Sequence, residues 1–132
     1  NAYTVAWADG SLSPLALDAT WPQTPWQGTT IEYARIGRQR PFLGSDLPVQ
    51  CLLRSPAGVS VFARGRVGDR VWAGPTLQPG ASAAPAALQV FLLLGSELLA
   101  DVPVEVELVI RGPSGEQAWS LGAVVPAVRR QR

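Results

Sequence analysis

Apolar and polar residues alternate along most of this chain, and no window sustains apolar spacing at three and four residues. A period of two places successive side chains on opposite faces of a half-buried strand, whereas an amphipathic helix needs a period near 3.6. The clearest alternating windows are YTVAWA (3–8), TIEYARI (30–36), GVSVFAR (58–64) and PVEVELVI (103–110). In the last, Val104, Val106, Leu108 and Ile110 share one face while Glu105 and Glu107 share the other. Less regular candidates are PLALDAT (14–20), VQCLL (49–53), RVWAG (70–74), ALQVFLLL (87–94) and QAWSLGAVV (117–125). The 13 glycines and 12 prolines are spread throughout, so turn signals recur between these windows. Short strands in that rhythm predict an all-β chain, a two-sheet β-sandwich of about 7–9 short strands, with a small closed barrel as the alternative. Helix is expected nowhere beyond a turn near SELLAD (96–101).

One internal echo adds to the pattern. DLPVQCLLRSPAG (46–58) and DVPVEVELVIRGPSG (101–115) both run Asp-apolar-Pro-Val, a strand, Arg-x-Pro-x-Gly and a further strand. Proline presets one turn φ and glycine tolerates a positive one, so both Pro-x-Gly stretches read as turns of similar hairpins. Duplication of a half-domain is the alternative. LQPGASAAPAA (77–87) is small, uncharged and proline-broken, and reads as a loop or a crossover between sheets. This phrasing, over 44–125, is similar to the immunoglobulin-like and fibronectin-III-like domains of bacterial surface and periplasmic proteins. The resemblance implies an immunoglobulin-like sandwich and carries no functional residue. The Cys…Trp…Cys framework of antibody domains is absent, because the chain holds one cysteine.

A chain of 132 residues, 47% hydrophobic, fits one domain with a real core. The expected boundaries are an expression remnant at 1–2, a single β-sandwich domain over 3–125 and a basic tail over 126–132. Composition excludes much chemistry. There is no His, no Lys and no Met, so all eleven basic residues are Arg. Without His there is no Ser-His-Asp or Cys-His nucleophile and no imidazole acid–base group. Without Lys there is no Schiff base and no phosphate-loop lysine. Cys51 lies in the apolar run VQCLLR and reads as a small buried hydrophobe. Glu105 and Glu107 alternate with a clean apolar set, so they read as the wet face of a strand rather than a glycosidase pair. No two of the loop acids Asp9, Asp18, Glu32 and Asp69 stand at Asp-x-Asp spacing, and neither a metal nor another cofactor is expected. No catalytic residue is assigned, and the chain is expected not to be an enzyme.

Two candidate binding features remain. In ATWPQTPWQGTT (19–30), Trp21 and Trp26 are each next to a proline, with Gln23 and Gln27 beside them. Stiffly held aromatic rings with neighbouring amides suit a sugar-stacking platform, and the competing reading packs the same rings over one end of the sandwich. Trp7, Trp72 and Trp119 fall inside strand-like windows, and Trp7 and Trp119 read as core. The second feature is charge. Residues 35–70 carry seven Arg against Asp46 and Asp69, and residues 71–128 carry five acids against Arg111. Arg35, Arg38, Arg40, Arg64 and Arg66 would form an anion- or partner-binding face if they converged. The competing reading cancels these charges between paired strands. The net charge of +1 and the lack of aromatics interleaved with the arginines argue against nucleic acid.

The expected function is a non-catalytic extracytoplasmic binding or interaction module of a larger bacterial envelope or secreted protein. A protein partner or self-association is the leading expectation. The alternative is a carbohydrate-binding module using Trp21 and Trp26, with a glycan as ligand. The Arg-only, Ala/Pro/Gly-rich composition fits a GC-rich bacterial genome. The expected location is periplasmic, cell-surface or secreted, with a signal peptide or membrane anchor upstream.

Overall fold

The computed structural model describes residues 2–6, 12–16, 29–37, 41–55, 58–80, 86–95, 97–113 and 115–128. Among these no residue is helical, and nine strands pair antiparallel. β1 (Ala2–Ala6) and β2 (Leu12–Ala16) form a two-stranded hairpin. β3 (Thr30–Ile36), β4 (Asp46–Arg54) and β7 (Ala86–Leu93) form a sheet in the order β3-β4-β7. β5 (Ser60–Val67), β6 (Arg70–Ala73), β8 (Val104–Gly112) and β9 (Gly115–Val124) form a second, ordered β6-β5-β8-β9. The three- and four-stranded sheets face each other across one core, and the fold is an all-β two-sheet sandwich.

Alternation decides which side chains enter that core. On β8, Val104, Val106, Leu108 and Ile110 are buried in it. On β4 the same role falls to Leu47, Val49, Cys51 and Leu53, and β7 adds Val90 and Leu92. Fully burying one such aliphatic side chain is worth about 1.5–3 kcal/mol, so this set supplies most of what holds the sheets together. Trp119 is cross-strand partner to Leu108 and packs partly buried against the core, in line with the sequence reading, and Trp72 does the same. Trp7 lies outside the described residues.

The two echoed segments become β4 and β8, each with a strand on both sides. Their turns differ, which corrects the reading of two similar hairpins. Gly112 and Gly115 pair across a true β8–β9 hairpin, with Gly115 at φ 135°. The segment after Arg54 instead carries the chain from β4 in one sheet to β5 in the other. β4 already has β3 and β7 as neighbours and offers no edge to a third strand. The stretch after Leu77 likewise leads from β6 to β7 between sheets, with residues 81–85 outside the described set.

One side of the sandwich closes where β6 meets β7. The Trp72 indole Nε1 donates to the Leu93 carbonyl at 2.8 Å. Its ring lies over Gly65, where a Cβ would sit 2.8 Å from the Trp72 Cζ2 and 2.9 Å from the Leu92 Cδ2. At one end, the Leu43 amide donates to the Ala127 carbonyl at 2.9 Å and the Ala127 amide to the Pro41 carbonyl at 3.0 Å. The Asp101 amide donates to Pro126 at 3.0 Å. Residues 126–127 are thereby bonded to the body of the domain.

Candidate interaction site

On the side away from the β6–β7 seam no backbone hydrogen bond joins the two sheets among the described residues. There β3, the edge of one sheet, faces β9, the edge of the other. Between them lies a groove of about 460 Å³ lined by Ala34, Arg35, Ile36, Leu121, Ala123 and Val124. Arg35 is the one ionisable group in that lining among the described residues. The Arg35 Nε donates to the Gln50 Oε1 at 2.6 Å across the β3–β4 pair.

Two bulges shape the groove's walls. On β3, Ile31 opposes Leu53 and Tyr33 opposes Leu52, which leaves Glu32 without an opposite residue. Its buried carboxylate accepts from the Arg54 guanidinium, so the charge is compensated where it is desolvated. On β9, Ser120 opposes Glu107 and Gly122 opposes Val106, leaving Leu121 as the extra residue. Gly122 takes φ 97°, a conformation that favours glycine. Extra residues of this kind bend an edge and add twist. The regular part of the β9 edge therefore ends at Ser120, and beyond it Leu121–Val124 turn along the groove opposite β3.

From Gly115 to Ser120 the outer edge of β9 has no backbone partner among the described residues. In an antiparallel ladder every second residue points its N–H and C=O away from the neighbouring strand, so this edge offers donors and acceptors with no backbone partner among the described residues, the Ala118 carbonyl accepting only from the Gln117 Nε2 at 3.4 Å. Sheet edges are ordinarily blunted with charge or proline. Over Gln117–Val124 this strand has neither.

The outer face of the four-stranded sheet carries the charges. Arg64 on β5 donates through Nε to the Glu107 Oε1 at 3.2 Å and through Nη1 to the Glu116 Oε1 at 3.1 Å. Arg111 donates to the Glu116 Oε2 at 3.1 Å, and the Arg66 Nη2 lies 3.8 Å from Glu107. The bonds from Arg111 and then Arg64 hold the Glu116 carboxyl below its ordinary range. The bond to Glu107 raises the Arg64 guanidinium further above its own. The charge segregated along the sequence thus cancels between β5, β8 and β9. Arg64 and Arg66 do share a face, while Arg35 stands on the other sheet. Arg38 and Arg40, like Trp21, Gln23, Trp26 and Gln27, lie outside the described residues.

Four further features bear on chemistry. Glu105 and Glu107 point outward, and Glu107 is engaged by Arg64 and Arg66. Burial pushes the Cys51 thiol up to about 12, which leaves it inert as a nucleophile. Among the described residues no three His, Cys, Asp or Glu side chains gather as a metal would require. At the loop end, a dimple of about 140 Å³ is walled by Val67, Leu98, Leu99, Val102 and Val104. The Arg70–Glu97 pair, at 2.6 Å, completes its lining. It is well below the volume that small-molecule sites require.

Alternation in the sequence located β9 but gave no sign that it ends a sheet. The one available hint is its run of eight residues without charge or proline. No family model, curated protein or solved structure matches this chain.

Proposed function

We propose that this is an immunoglobulin-like recognition module, non-catalytic and extracytoplasmic, within a larger bacterial envelope or secreted protein. It binds an extended segment of a protein partner as an added strand on β9. Strand order supports the immunoglobulin-like reading. Lettering β3 to β9 as A, B, C, C′, E, F and G gives sheets A-B-E and C′-C-F-G, the order of that architecture without strand D. Strands B and F are then the two echoed segments. Antibody domains bridge these strands with a disulfide. Here the echo aligns Cys51 with Val106, both wholly buried in the core, and apolar contact takes the bridge's place.

The observation that carries the binding mode is the β9 edge, which over Glu116–Ser120 has no backbone partner among the described residues and whose one charge, Glu116, is held by Arg111 and Arg64. A strand added there bonds to main-chain groups of Glu116–Ser120, and its alternate side chains lie on the inner and the charged outer face of the sheet. Panning a displayed peptide library against the domain tests the proposal. The expected result is that enriched peptides slow hydrogen exchange at alternate amides of 116–120. Enriched peptides that protect only the loop ends and leave β9 unchanged would overturn it.

A further inference from the structure

We infer that the strand β9 accepts is β9 of a second copy, in a two-fold symmetric, antiparallel pairing centred on Ala118. The inference rests on the strand-addition reading and adds the partner's identity. An antiparallel pair places residues of the same face opposite each other, so a symmetric register must centre on one residue. The available edge is short. Gly115 opens β9 at the hairpin with φ 135°, and the bulge at Leu121 and Gly122 ends the regular stretch. Between those limits lie Glu116 to Ser120, and Ala118 is their midpoint.

That register is compatible with the side chains on both faces. On the outer face, Ala118 meets Ala118 of the second copy, and Glu116 meets its Ser120. On the inner face, Gln117 meets its Trp119. Like charges directly opposite destabilise a strand pair, and this register has none. The single charge in the stretch, Glu116, is already neutralised on its own sheet by Arg111 and Arg64. The residues at the two-fold axis are small, so the backbones can approach to ladder distance. Beyond Ser120 the groove wall formed by Ala34–Ile36 stands opposite β9, which confines the pairing to this half of the strand. A seam of five residues is about 17 Å long, short of what a permanent dimer buries. The association is therefore weak and concentration-dependent, suited to a domain held at high local density.

Sedimentation of the wild-type domain over a concentration series tests the inference, together with two charge variants at the axis. Ala118→Lys and Ala118→Glu each put like charges face to face, and each weakens association about fivefold or more. Mixing the two variants restores the dimer, because opposite charges then meet. Ala118→Cys provides a second readout that needs no charged residue at the seam. Directly opposed strand residues lie within disulfide reach, so mild oxidation cross-links Ala118→Cys faster than Gln117→Cys, and the buried Cys51 does not compete. A wild-type domain that stays monomeric at the highest concentration, with no cross-linking preference, overturns the inference. So does a dimer that persists undiminished in both charge variants. Peptide protection of β9 in the panning experiment would still hold in either case, which separates failure of the self-partner from failure of strand addition.

Discussion

Gly74→Ala perturbs the closure of the sandwich at a single atom. Gly74 follows β6 and lies against the β7 backbone. A Cβ there would fall well inside 3.0 Å of the Phe91 carbonyl oxygen, closer than such contacts occur. The obstacle is main chain, so no rotamer change relieves it, and the seam between the sheets must open by on the order of 1 Å. A gap of that size forfeits a quarter to a half of the local dispersion attraction. It also breaks or weakens the Trp72–Leu93 hydrogen bond, worth about 1 kcal/mol, at the same seam. Overpacking of this kind costs about 1–3 kcal/mol. Replacing glycine stabilises by about 0.4–1 kcal/mol through the unfolded chain, which offsets part of the loss. The balance is about 1–3.5 kcal/mol, or a fall in Tm on the order of 10 °C for a domain this size. Thermal unfolding followed by tryptophan fluorescence measures it. Gly65→Ala is the internal comparison, since its Cβ would meet the Trp72 and Leu92 side chains, which can shift, and its loss should be smaller. A Gly74→Ala variant as stable as wild type would refute the β6–β7 closure.

Other outcomes follow from the charges and the thiol. Glu116 has a lowered pKa in the folded protein, so its stabilisation is complete above the ordinary carboxylate range and is lost as pH falls through the lowered folded value. Glu116→Gln should accordingly lower Tm at neutral pH, and the gap from wild type should close in acid; a gap that stays constant with pH would contradict the ladder. Arg64→Met should cost about 1 kcal/mol in denaturant unfolding at low salt and less at high salt, because Arg64 is a partly exposed bridge between Glu107 and Glu116. Cys51, at about 12, is ionised to only about one part in ten thousand at about pH 8, so thiol reagents should label it at the rate of unfolding. Rapid labelling of the native domain would show an opening of the core.

Much of the fold was legible because alternation is a direct record of which face a residue occupies. TIEYARI became β3 from Thr30 to Ile36, and the apolar set of PVEVELVI became the core face of β8. What alternation does not record is which strand lies beside which. The two Pro-x-Gly turns look alike in sequence, yet one closes a hairpin and the other crosses between sheets. That choice depends on whether β4 has a free edge, a property of the assembled sheet. The same limit hid the β9 edge. The bulge at Glu32 left a faint trace: Tyr33 and Ala34 are apolar in succession within TIEYARI, but which residue is the extra one is set by its register against β4. Charge pairing was half legible. The separation of Arg and acidic segments was plain, and the structure resolves it through the β5–β8 register that sets Arg64 against Glu107 and Arg66 against Glu105.

Amide hydrogen exchange along β9, read by NMR at low protein concentration, tests the central claim most directly. The account predicts alternating protection from Glu116 to Ser120: amides bonded to β8 exchange slowly, and those between them exchange at nearly the rate of an open chain. Uniform slow exchange along the strand in the dilute domain would mean that the edge is already paired, and recognition by strand addition at β9 would be contradicted.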